Sequence, residues 1–142
     1  MTGFVRKITD ARRLKRNLLA FLAEMEKNLE IFYVMDQRQF VTGEFLTVAW
    51  DQVKDETFIK KHAAILVYIQ AIEDINRMLK EHKEFEQWYA SDMGNKTPDN
   101  ARALHGMKND LDKKLKTMEA VIIPAGQTLE REMLHLGLIK DG

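Results

Sequence analysis

Apolar residues recur every three or four positions along most of this 142-residue chain. This spacing places them on one face of an α-helix. Because neither Gly nor Pro occurs between Phe4 and Thr42, one uninterrupted helix is predicted over residues 10–40, with Thr9 or Asp10 as its N-cap. Such a helix is about 45 Å long and needs packing partners along its whole length.

Two further runs with the same spacing predict a second long helix over 56–90 and a third over 98–137. The third begins with Thr97-Pro98-Asp99. Thr caps the helix, Pro takes the first position, where its missing N–H is not needed, and Asp complements the helix dipole. Pro124 lies inside this run, so the helix is expected to kink there, and Gly137 is expected to end it.

The segment 44–53 has two interpretations. Its apolar residues fit a short helix. Alternatively, Phe45-Leu46-Thr47 pairs with Gln39-Phe40-Val41 in a small hairpin that turns at Thr42-Gly43. An isolated hairpin is marginally stable in water, and the short helix is therefore favoured.

The predicted fold is all-α. It is an antiparallel up-down bundle of three long helices, with the short helix near 44–53, and residues 1–142 are expected to form one domain. The second long helix is apolar on nearly every side between Ile65 and Ile72. A helix of that kind is normally buried on more than one side, so a homodimer that completes the bundle is expected.

Composition excludes several classes of site. The chain has no Cys, which rules out disulfides, thiolate zinc sites and thiol nucleophiles. Lys plus Arg and Asp plus Glu number 22 each, so the whole chain is not a strongly basic nucleic-acid binder. No apolar run approaches the length needed to cross a bilayer. A cytoplasmic protein without a cofactor is expected.

Some His and carboxylate residues have spacings that metal ligands also use. His82 and Glu86 form HxxxE, and His105 and Asp110 form HxxxxD, with His62 upstream. These spacings resemble part of the ligand pattern of hemerythrins, whose di-iron site faces the interior of a four-helix bundle. The chain departs from that pattern because the HxxxH helix between the two motifs is missing.

Two other spacings resemble enzyme motifs of all-α folds. Glu132 and His135 form ExxH, which is similar to the ligand motif of ferritin-like di-metal sites, although those sites need two such motifs. Arg77 and His82 form Arg-x4-His, which resembles the minimal motif of HEPN ribonucleases. That resemblance implies that His82 would act as acid or base and Arg77 would hold a phosphate.

Charge is distributed unevenly only near the start of the chain. Residues 6–16 hold six Arg or Lys and one Asp. One explanation is a solvated face, or pairing with Glu81, Glu84 and Glu86. The other is contact with phosphate on nucleic acid or an anionic surface through Arg12, Arg13, Lys15 and Arg16.

Taken together, these patterns favour a non-enzymatic interaction or scaffold module. It would act through self-association or by binding a partner helix in a groove. No catalytic, cofactor-binding or metal-ligating residue is predicted, and Asn28 and Asn76 are expected inside the bundle, fixing helix register. The alternatives are a divergent HEPN-like ribonuclease that uses Arg77 and His82, and a metal-dependent helical-bundle enzyme.

Overall fold

A computed structural model of the chain describes residues 3–38, 44–91 and 95–140. The helices in this part are α1 (Gly3–Arg38), α2 (Val48–Val53), α3 (Thr57–Lys60), α4 (Ala63–Ser91), α5 (Pro98–Lys116) and α6 (Met118–His135). No β-strand occurs among these residues. The prediction of an all-α helical bundle is confirmed.

The segment between α1 and α4 is itself an arm of the bundle. Residues 44–47 are neither helix nor strand, and α2 follows at once. Leu46 is hydrogen-bonded to Asn28, while the ring of Trp50 lies 5.6 Å from that of Phe21. Trp50 follows Leu46 in the chain, but its contact on α1, Phe21, precedes Asn28. This return arm (residues 44–62) therefore runs antiparallel to α1. The helix predicted near 44–53 is therefore confirmed in its second part, while the alternative hairpin's first strand and turn lie outside the described residues.

The long helix α4 runs in the same direction as α1. The ring of Tyr68 lies 6.1 Å from that of Phe21. Further along, Phe45 of the return arm is hydrogen-bonded to Asn76 of α4, and the next residue, Leu46, is hydrogen-bonded to Asn28 of α1. Later positions of α1 thus lie beside later positions of α4, so the two helices are parallel. Successive arms of the bundle alternate in direction, as predicted, but the first two long helices are parallel and not antiparallel neighbours, because the return arm is the descending element between them.

Helices α5 and α6 together descend along α4. Lys114 of α5 lies 3.9 Å from Asp74 of α4, and Glu132 of α6 lies 3.9 Å from His62, next to the start of α4. The order of these contacts is opposite along the two elements, so they are antiparallel. The predicted packing of 98–137 against the second long helix is therefore seen.

The first helix begins earlier than predicted. It starts at Gly3 and not near Thr9 or Asp10, because the interior of a helix tolerates Thr and Asp at less than about 1 kcal/mol each. Its predicted end near residue 40 lies outside the described residues.

The predicted helix over 56–90 is interrupted at Lys61 and His62, which separate α3 from α4. Ile59 and Ile65 are both fully buried. On one continuous helix these two residues would point about 120° apart. The turn between α3 and α4 therefore allows both side chains to enter the same core.

The last predicted helix is divided at Thr117, and Pro124 lies inside α6. The Thr117 hydroxyl donates to the carbonyl of Lys114 at 2.7 Å, and the Thr117 N–H bonds to the same carbonyl. These bonds tighten the last turn of α5 and end it. Pro124 has no N–H to donate to the carbonyl of Ala120, four residues earlier. Both residues are exposed, so this carbonyl is on the solvent side of the helix.

Two predicted helix termini are confirmed. The Thr97 hydroxyl accepts from the Asn100 N–H at 3.1 Å, with Pro98 at the first helical position. After α6, Gly137 has φ of 73°, a conformation that suits glycine. The Gly137 and Leu138 N–H groups bond back to carbonyls of the last helical turn, which is a Schellman motif.

The buried apolar side chains form one cluster to which every arm contributes. Its largest fully buried members include Tyr68, Phe21, Leu18, Met25, Ile59, Ile65, Ile72, Ile75, Leu111, Met118, Leu129 and Met133.

Candidate functional site

Two Asn side chains hold the main chain of the return arm. The Asn28 amide accepts from the Leu46 N–H at 2.7 Å and donates to the Leu46 carbonyl at 3.0 Å. The Asn76 amide does the same for Phe45, with both distances 2.9 Å. All four main-chain polar groups of two consecutive residues are thus bonded to side chains from α1 and α4.

A third side chain fixes the start of α2. The two carboxylate oxygens of Glu24 accept from the N–H groups of Ala49 and Trp50, at 2.9 and 3.1 Å. Thr47, at the N-cap position, makes no capping bond with its own side chain. Glu24 therefore satisfies two of the free N–H groups of this helix terminus from a distant position in the sequence.

Tyr68 completes this polar group, which we call the clamp (Glu24, Asn28, Tyr68 and Asn76). Its hydroxyl accepts from the Asn28 amide at 2.7 Å, and its side chain is fully buried. Burial, and secondarily the charge of Glu24, raise the pKa of Tyr68 above its ordinary value, so the phenol is neutral at physiological pH.

The clamp is a structural device. Among the described residues no buried side-chain N or O atom lacks a partner, so the clamp presents no unsatisfied group to a ligand. Asn28 and Asn76 were predicted to fix the register of helices against each other. They do hold elements together from within the bundle, but their partner is the main chain of the return arm.

The four His residues belong to different segments of the chain. His62 precedes α4, lies against Phe58 and is close to Glu132, while His82, His105 and His135 lie on α4, α5 and α6. Within the described ranges no group of three or more His, Asp or Glu side chains is arranged to hold a metal ion. The residues with hemerythrin-like and ferritin-like spacings therefore do not converge on a metal site in this part of the chain.

The residues of the Arg-x4-His motif lie on the outer part of α4. Arg77 is exposed and pairs with Asp74 at 3.5 Å and with Glu81 at 4.0 Å. Both pairs have the spacing of ion pairs on one face of a helix. Two carboxylates beside the guanidinium disfavour a phosphate at this position. This geometry gives no support to a nuclease role for Arg77 and His82.

Four basic residues near the start of α1 are exposed, namely Arg12, Arg13, Lys15 and Arg16. Arg12, Lys15 and Arg16 form no ion pair with any described residue. Because α1 and α4 are parallel, the suggested partners Glu81, Glu84 and Glu86 lie towards the opposite end of the bundle. Pairing with those acids is therefore not the explanation of the basic segment.

The outward side of α1 carries a second helical stripe, which sequence reasoning missed. Its members are separated alternately by four and three residues, and all of them are exposed. We call this set the outer stripe (Arg12, Arg16, Leu19, Ala23, Glu26 and Glu30). On an ideal helix they lie within about 40° of one line, opposite the buried stripe of the same helix. The spacing was visible in the sequence, but most of its members are charged, so a search for apolar periodicity passes over it.

Two other surface features are small. A shallow cavity of about 180 Å³ is lined by Lys27, Glu30, Ile31 and Val34, below the usual size of a ligand pocket. On α4, Leu66 and Val67 are 41% and 56% exposed, whereas most of the neighbouring apolar residues of that helix are buried. Two adjacent residues do not amount to an extended apolar patch.

No helix in the described part of the chain is both long enough and apolar enough to cross a membrane. Comparison of the chain with protein-family models, with curated proteins and with solved structures finds no match in any of the three.

Proposed function

We propose that this protein is a non-enzymatic helical module that acts by self-association. The observation that carries the proposal is the apolar centre of the outer stripe. Leu19 is 39% exposed there, with Ala20 and Ala23 beside it. Small residues next to a leucine allow a second helix to approach closely, and the contact removes apolar surface from water.

The polar groups of the bundle interior support this choice over catalysis. Glu24, Asn28 and Asn76 are engaged with the main chain of the return arm. On the surface, Arg77 is engaged with carboxylates. These side chains maintain the fold, so the surface is where the protein has groups to offer a partner.

The expected association is weak and reversible. One helix packed against one helix buries less than the roughly 1,200–2,000 Å² of a stable, specific interface. Such a contact belongs with transient complexes, and the fraction of dimer is expected to depend on protein concentration.

Light scattering after size-exclusion chromatography tests the proposal, with loading concentrations from low to high micromolar. We expect the average mass to rise with concentration above the 16.6 kDa of the monomer. Leu19→Lys should abolish the rise because it places a charge at the apolar centre. Val67→Lys is the matched control, since it makes a similar change at an exposed position of another helix and should leave the rise intact.

A wild-type mass that stays monomeric throughout the concentration range would contradict the proposal. So would a Leu19→Lys variant that associates as well as the wild type. Loss of association in Val67→Lys alone would keep self-association and move it to α4, contradicting the role of the outer stripe.

A further inference from the structure

We infer that two copies of this protein pair through their outer stripes as an antiparallel, two-fold symmetric helix pair. This inference rests on the proposed self-association and specifies its geometry. Arg12 lies opposite the partner's Glu30, Arg16 lies opposite the partner's Glu26, and Leu19 lies opposite the partner's Ala23. The two-fold axis passes midway between Leu19 and Ala23 of each copy.

The spacing of the outer stripe is suited to contact between two helices. The alternation of four and three residues between Arg12 and Glu30 is the repeat by which helices pack side by side in coiled coils. The stripe is about 27 Å long. All six members are exposed, and the elements that pack on α1 contact its other side.

The order of charges along the stripe determines the orientation. Its first two members are basic, its central two are apolar and its last two are acidic. In a parallel pair, Arg12 and Arg16 would face the same basic residues of the second copy, and like charges would repel. In an antiparallel pair each basic end faces an acidic end, so electrostatic complementarity selects this arrangement.

Within the described part of the chain, few groups compete for the charges of the stripe. Arg12, Arg16 and Glu26 form no ion pair with a described residue. Glu30 pairs with Lys27 at 3.3 Å, but both side chains are more than half exposed, and such a pair stabilises little. The four charged members are therefore able to form ion pairs across the interface.

The geometry makes the assembly a closed dimer. The same surface is used by both copies, and each contact occurs twice about the two-fold axis. An interface of this kind is satisfied by one partner and does not continue into a chain of subunits. The inferred occupant of the outer stripe is thus a second copy of this protein.

Charge reversal tests the inference. Arg12→Glu/Arg16→Glu makes the charged positions of the stripe uniformly acidic, and Glu26→Arg/Glu30→Arg makes them uniformly basic. Each variant alone should dimerise roughly ten-fold or more weakly than the wild type, because exposed ion pairs become like-charge contacts. An equimolar mixture should form a heterodimer about as strong as the wild-type dimer, since every charge again faces its opposite. Sedimentation velocity measures all three samples.

Two variants with the same changes in charge on α4 serve as controls. Lys80→Glu/Lys83→Glu and Glu84→Arg/Glu86→Arg alter exposed residues and should leave dimerisation near the wild-type value. Circular dichroism establishes that each variant is folded. This is expected because Arg, Glu and Lys are all good helix formers.

Register is tested separately with cysteines, since the chain has none of its own. A mixture of Leu19→Cys and Ala23→Cys proteins should form the mixed disulfide in preference to either symmetric one. A preference for the symmetric products would overturn the antiparallel pairing.

The outcomes separate this inference from the proposed function. If the wild type does not self-associate, both fail. If the wild type dimerises and both charge variants still do, self-association stands and the outer stripe is not the interface. Loss of dimer in each variant without recovery in the mixture would contradict the pairing of residues. Cosedimentation of a monomeric wild type with phosphatidylserine vesicles, lost in Arg12→Glu/Arg16→Glu, would assign the basic end to an anionic surface and overturn the inference.

Discussion

Removing the Asn28 side chain tests whether the return arm is held by the clamp. Asn28 is fully buried and makes three hydrogen bonds, of 2.7, 2.7 and 3.0 Å. Asn28→Ala leaves the N–H and the carbonyl of Leu46 without their partners in a segment that has no helical or strand bonding of its own. At about 1 kcal/mol net for each hydrogen bond, the free energy of unfolding should fall by about 3 kcal/mol.

A change of this size is easily measured. The whole stability of a domain is on the order of 5–15 kcal/mol, so the loss is a substantial fraction of it. Urea unfolding followed by circular dichroism should show a lower midpoint with an unchanged slope. Asn17→Ala is the matched control. Asn17 lies on the same helix and makes no side-chain hydrogen bond with a described residue, so its substitution should change stability by less than about 0.5 kcal/mol.

An Asn28→Ala protein as stable as Asn17→Ala, with both measured at one protein concentration, would contradict a role of the clamp in holding the return arm. That result would mean that the return arm is held by its apolar contacts alone, through Phe45, Trp50 and Val53, and that the hydrogen bonds to Asn28 are replaced by water without loss.

Three further substitutions probe other parts of the account. Because burial raises the pKa of Tyr68, the unfolded chain releases the phenolic proton above about pH 10 while the folded chain keeps it. The free energy of unfolding should then fall by about 1.4 kcal/mol per pH unit from this group. The stability difference between wild type and Tyr68→Phe, measured in urea from about pH 9 to pH 11, should narrow accordingly; a constant difference would contradict this. Glu24→Gln should lower stability by about 1–2 kcal/mol, because one amide oxygen replaces two charged acceptors for the Ala49 and Trp50 N–H groups; equal urea midpoints would argue against capping by Glu24. Thr97→Ala should cost about 1 kcal/mol in thermal unfolding through loss of the N-cap bond of α5, and an unchanged Tm would show that the cap is not needed.

The parts of the fold that depend on local sequence could be predicted. The stripes of α1, α4, α5 and α6 follow from spacing alone, because a helix brings residues three and four positions apart onto one face. Thr97 and Pro98 mark the start of α5, and Gly137 marks the end of the last helical arm, since capping is decided by residues within one turn of the terminus.

The parts that depend on distant contacts could not be predicted. Residues 44–47 are held by Asn28 and Asn76, and nothing within the segment signals this. The same contacts make the return arm an element of the bundle, and so place α4 parallel to α1. Within the last arm, proline is the stronger local signal for an interruption, yet the helix is divided at Thr117 and Pro124 lies inside α6. Pro124 is on the solvent side of α6, where a missing hydrogen bond matters less.

The candidate surface shows a different limitation. The outer stripe has regular helical spacing, yet it contains more charged than apolar residues. Knowing which face of α1 is buried leaves the opposite face as the one offered to a partner. The order of charge along that face then becomes informative, because it distinguishes a parallel from an antiparallel pair.

Sedimentation equilibrium of the wild-type protein over a wide range of concentrations tests the central claim most directly. We predict a reversible monomer–dimer equilibrium in which the mass rises from 16.6 kDa towards twice that value, and in which added salt weakens the dimer because its outer contacts are ionic. A mass of 16.6 kDa at every concentration would contradict the claim that this bundle works by self-association.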